Sequence, residues 1–115
     1  MKTNKYNIMP TKDGFYGNYG GQFLPDVLKA EFQRICDAFL FYKDDNDFNS
    51  ELNELLNHYA GRPSPVYYAK NLSSKYGAEI YLKREDLNHI GAHKINHSLG
   101  EALLAKKMGK TKLIA

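Results

Sequence analysis

Lys83-Arg84-Glu85-Asp86-Leu87-Asn88-His89-Ile90-Gly91-Ala92-His93-Lys94-Ile95-Asn96 is the stretch that decides how this chain is read. It is polar and glycine-containing, and it joins a β-prone run, Glu79-Ile80-Tyr81-Leu82-Lys83, to helix-forming sequence from about His93 to Met108. Gly109 punctuates the helix, and Lys112-Leu113-Ile114-Ala115 begins another apolar run. Strand, helix, strand within about forty residues is the spacing of a parallel βαβ unit, so the expected class is α/β with a parallel sheet. The last run stops without a closing turn, which predicts a truncated sheet. In open parallel sheets, ligands bind where a strand's end passes into a helix.

Upstream, Gly61-Arg62-Pro63-Ser64-Pro65 disfavours helix and sets an expected boundary, with residues 1–60 as an arm and two helices and 61–115 as the start of an α/β domain. Asp13-Gly14 and Gly17-Asn18-Tyr19-Gly20-Gly21 predict an irregular arm packed through Phe15, Tyr16, Tyr19 and Phe23. Leu28, Phe32, Ile35, Phe39 and Tyr42 recur at spacings of three and four, predicting an amphipathic helix over residues 25–43. A second helix is expected through Phe48, Leu52, Leu55, Leu56 and Tyr59. Val66-Tyr67-Tyr68 reads as a short strand and residues 71–76 as a short helix.

The 115 residues are enough for one small domain, and 43% hydrophobic with 25% charged residues is ordinary globular composition. The net charge of +3 comes from scattered lysines, which gives no support to nucleic-acid binding. Neither a signal peptide nor a membrane span is expected from the polar start Met1-Lys2-Thr3-Asn4-Lys5-Tyr6. The lone cysteine, Cys36, cannot form an internal disulfide and fits a reducing, cytoplasmic setting.

Lys94 falls in the expected first turn of a helix, where the positive end of the dipole and burial beside apolar residues would both disfavour an ammonium. A free amine is what imine chemistry needs, and first-turn N–H groups favour an anion such as a phosphate. From position alone, however, a lysine at a helix start is more often a solvated charge than a nucleophile. His89, His93 and His97 follow at intervals of four, a spacing that can ligate a metal. Lys94 stands where the zinc-protease motif has glutamate, so solvated or capping histidines are favoured and no metal is expected. Glu85 and Asp86 would point to opposite faces, with pairing to Lys83 or Arg84, or capping of the next helix, favoured over a shared acid/base site.

Taken in order, Tyr19-Gly20-Gly21-Gln22-Phe23-Leu24-Pro25, Gly61 to Pro65, Tyr81 to His89, Gly91 to Asn96 and Ala102-Leu103-Leu104-Ala105-Lys106 resemble consecutive blocks of the tryptophan synthase β family. The resemblance implies the N-terminal part of a fold-type II enzyme dependent on pyridoxal 5'-phosphate (PLP), a lyase that condenses indole with L-serine to give L-tryptophan and water. It implies that Lys94 holds PLP as a Schiff base and shuttles protons, and that His93 lies by the cofactor phosphate. It also implies an α-chain partner in an α2β2 heterotetramer, with the arm at residues 15–25 near that interface. His97 and Glu101 depart from the neutral polar residues common there. The carboxylate, substrate loop and phosphate cup of the family have no counterpart here, so the 115 residues alone are expected to be inactive. Two alternatives are a non-catalytic α/β interaction module and a related PLP-dependent β-replacement enzyme.

Overall fold

The computed structural model describes residues 10–114 and divides into two compact units, with the division falling between Arg34 and Ile35. In the first unit the glycine-rich segment is more regular than expected. β1 (Phe15–Tyr16) and β2 (Tyr19–Gly20) form an antiparallel hairpin, with Phe15 opposite Gly20 and Tyr16 opposite Tyr19. The two-residue loop starts with Gly17 at φ +62°, a value that a glycine adopts without cost at the first position of a tight hairpin turn. A Cβ on Gly20 would lie 2.4 Å from the carbonyl oxygen of Gly14, so the hairpin closes only over a bare backbone.

Helix α1 (Asp26–Tyr42) follows Pro25, close to the limits expected from the apolar spacing. Its stripe of Leu28, Phe32, Ile35 and Phe39 is exposed along its whole length.

In the second unit Asp45 caps α2 (Asn46–Glu54) by accepting a 2.7 Å hydrogen bond from the Phe48 amide. A π-helical turn, Leu55–Tyr59, continues the helix to Ala60, which is completely buried. β3 (Val66–Tyr68) and β4 (Tyr81–Lys83) pair through Val66–Lys83, Tyr67–Leu82 and Tyr68–Tyr81, and α3 (Lys70–Tyr76) connects them. The Ser73 hydroxyl ties α3 to the sheet by accepting from the Ile80 amide at 2.9 Å. The last helix, α4 (Ile95–Lys107), lies against α2 and the π turn, and the small core of Phe48, Ala60, Ile95 and Leu103 sits there.

These residues make a mixed helix-and-strand fold, yet the expected parallel pair is not formed among the described residues. β4 finds its partner in β3, and that pair is antiparallel. Residues 110–114 carry no strand, Leu113 and Ile114 are exposed, and Ala115 lies outside the described residues, as do residues 1–9. The reason is that a β-prone run becomes a strand only when a neighbour offers its backbone hydrogen bonds, and local propensity supplies none. No helix here is long and apolar enough to cross a membrane, among the described residues.

Candidate functional site

The quoted stretch folds as a tethered loop. Its first end is held where the Arg84 amide donates to the Pro65 carbonyl at 2.9 Å, and the His89 amide donates to the Ala60 carbonyl at 3.1 Å. Between them Glu85–Leu87 makes one 3-10 turn. Gly91 then adopts φ +69° as its amide donates to the Asn88 carbonyl at 2.7 Å, a conformation a side chain would strain.

The two neighbouring carboxylates do different things. Asp86 is exposed and is gripped by the Arg84 guanidinium, Nε donating to Oδ1 at 2.8 Å and to Oδ2 at 3.1 Å and Nη2 to Oδ2 at 2.6 Å, as the sequence suggested for one of the pair. Glu85 pairs with neither Lys83 nor Arg84. It points inward, half-buried, accepting from the Ser64 hydroxyl on Oε1 and from the amides of Asn88 and Asn96 on Oε2 at 2.8 and 2.7 Å. Those three donors, Ser64 first, then Asn96 and Asn88, hold its carboxyl at a pKa of about 2, well below the ordinary 4.5. Lys83 instead donates to the Ser64 carbonyl at 2.5 Å. Ser64, Asn88 and Asn96 were not singled out from sequence. The signal for two of them was present, since both asparagines flank the glycine of the decisive loop.

Lys94 occupies the N-cap position of α4, with helical dihedrals, and its carbonyl accepts from the Ser98 amide and hydroxyl at 3.1 and 2.9 Å. His93 precedes it directly. Both are exposed, although Ile95, the next residue, is only 3% exposed. Successive helix positions lie about 100° apart, so burial of Ile95 turns Lys94 away from the core. The apolar enclosure expected around Lys94 is therefore not provided by the described residues.

The three histidines do not converge. His89 stacks on Tyr59, ring centroids 4.5 Å apart, and His93 sits before the helix. His97 and Glu101 both line an apolar cavity of about 240 Å³ with Phe39, Tyr42, Phe48 and Leu104. Among the described residues, no three His, Cys, Asp or Glu side chains group to hold a metal ion.

The site as built is an exposed primary amine beside an imidazole, at the start of a 13-residue helix whose dipole favours an anion.

No family model matches the chain. Individual relatives do. It is 59% identical over 104 residues to the tryptophan synthase beta chain of Campylobacter jejuni strain 81-176, covering 90% of this chain and 26% of the relative. The tryptophan synthase beta chain 1 of Wolinella succinogenes is 56% identical over 107 residues, 92% of this chain and 27% of its own length. That of Lactiplantibacillus plantarum is 59% identical over 103 residues, 89% of this chain and 26% of its own length. The chain thus spans about a quarter of the length of the curated relatives it matches. Over about nine tenths of its residues, this chain is a sequence relative of the tryptophan synthase β chains.

Proposed function

We propose that this chain is the part of a tryptophan synthase β chain that carries the cofactor lysine, and that the whole protein condenses indole with L-serine to L-tryptophan and water. The observation that supports this most is the Gly91-Ala92-His93-Lys94 block, which sets an exposed lysine at the N-cap of α4 in a chain 59% identical to proteins of that name. When bound, PLP supplies the electron sink for chemistry at the amino-acid substrate. The ε-amine of Lys94 would hold the cofactor and, once released, carry a proton on Nζ to and from the substrate. The first-turn amides of α4 and the His93 imidazole would face the cofactor phosphate.

The same reading makes residues 61–115 the start of a fold-type II PLP domain and residues 1–60 its arm and leading helices. The protein would work in the cytoplasm as an α2β2 assembly. Phe15, Tyr16, Tyr19 and Phe23 of the arm are exposed, which suits contact with an α chain. Acting alone, the 115 residues would make no tryptophan, because among the described residues Lys94 stands exposed, without the closed, dry pocket that the reaction needs.

The test is tryptophan formation from serine and indole by the full-length protein supplied with PLP. Activity abolished by Lys94→Ala in a folded protein is expected. A folded parent that binds PLP but makes no tryptophan would shift the assignment to another β-replacement reaction, and one that binds no PLP would leave a non-catalytic module.

A further inference from the structure

We propose that Glu85 is a positioning residue for Lys94, its carboxylate fixing both ends of the loop that presents the lysine. This rests on Lys94 being the residue that holds the cofactor. Asn88 stands before the segment 89–93, and Asn96 follows Lys94 by two residues in the first turn of α4. Both side-chain amides donate to the same oxygen, Oε2 of Glu85, at 2.8 and 2.7 Å. The other oxygen takes the Ser64 hydroxyl. Ser64 is itself only 4% exposed, and its carbonyl is held by the Lys83 ammonium at 2.5 Å. One carboxylate therefore joins the loop's entry, its exit and the Pro63–Pro65 segment.

The orientation of the two asparagines shows which group dominates. With their NH2 groups turned to Glu85, the Oδ1 atoms of Asn88 and Asn96 are buried without a hydrogen-bond partner. Unpaired buried acceptors are unfavourable and rare. Reversing either amide would set oxygen against the carboxylate oxygen, which is worse. The anion thus imposes the arrangement at the expense of both amide oxygens, as expected where charge-assisted hydrogen bonds outweigh neutral ones. Asp86, one residue on, takes no part, being exposed and engaged by Arg84. A lysine on a loop released at either end would sample a wider range of positions, and covalent capture of a bound aldehyde depends steeply on that range.

The experiment uses the full-length protein, Glu85→Ala and Glu85→Gln. Each is titrated with PLP, reduced with borohydride, and mapped by mass for the fraction of phosphopyridoxyl label on Lys94. Amide hydrogen exchange over residues 88–98 is measured separately without cofactor. Glu85→Ala should raise the PLP concentration for half-labelling about tenfold to a hundredfold. It should also speed exchange over 88–98 while leaving 46–54 unchanged. Glu85→Gln keeps an oxygen for both asparagines and an NH2 for the Ser64 oxygen, so it should lie between Ala and the parent in both readouts. A merely structural role would lower the unfolding midpoint of Glu85→Ala with half-labelling unchanged, and that result overturns the proposal. So does weaker labelling with unchanged exchange. If Glu85→Ala does not fold, Asn96→Ala, which removes one arm of the arrangement, replaces it with the same outcomes. Label on a different lysine in the parent would instead sink the cofactor reading, leaving the exchange data to judge the loop.

Discussion

Replacing Ile95 tests whether the start of α4 is anchored as described. Ile95 is the first residue of the helix, next to Lys94, and is 3% exposed. Ile95→Ala removes three carbons, and at about 0.8 kcal/mol for each buried carbon the transfer loss is about 2.4 kcal/mol. A cavity left among the neighbouring side chains raises the cost to roughly 3–4 kcal/mol. Ile95→Val removes one carbon and should cost about 1 kcal/mol. Denaturant unfolding of the full-length protein measures both, with the slope of the transition expected to be unchanged. Because the anchor is one residue from Lys94, the alanine variant should also weaken PLP labelling of the lysine more than the valine variant does. Both substitutions falling within about 0.5 kcal/mol of the parent, the range of surface positions, would refute the packing described.

Two further outcomes follow from the geometry. Asp45→Ala removes the cap on α2 and should cost about 1 kcal/mol, read in the same unfolding assay, with Asp45→Asn recovering most of it. Glu85 has a folded-state pKa of about 2 against an ordinary 4.5, so its carboxylate favours the folded state at pH values above about 4.5 and that contribution fades as pH falls toward 2. The stability gap between the parent and Glu85→Gln should therefore be constant from pH 7 to 5 and shrink between pH 4.5 and 2. A gap that stays level across that window would show the carboxylate to be unperturbed.

What could be read from the residues alone divides along a physical line. Helix α1 was legible because Leu28, Phe32, Ile35 and Phe39 repeat with the helix period, and that pattern is local. The helix start at Gly91 to Asn96 was legible for the same reason: a glycine, a capping position and an apolar run lie within a few residues. The parallel sheet was not, because Leu113 and Ile114 say only that a strand is permitted, while pairing depends on a partner edge elsewhere. The arm hairpin was missed since the glycines that permit an irregular path also permit a tight turn, and only the Gly14–Gly20 approach decides between them.

The candidate site shows the same contrast. Lys94 and His93 were picked out by neighbours in sequence. The surroundings of Glu85 come from residues up to 21 positions away, brought together by β3 meeting β4 and by α4 folding back. Ser64 carries no local mark of that role. Exposure of Lys94 was equally hidden, since it follows from which side of α4 faces the core.

Every functional role proposed for this chain depends on Lys94 holding PLP. The most direct measurement is borohydride reduction of the full-length protein with bound PLP, followed by proteolysis and mass mapping of every lysine. One phosphopyridoxyl group is expected, on Lys94, and it should be lost in Lys94→Arg. A phosphopyridoxyl group on any other lysine, with Lys94 unmodified, contradicts it.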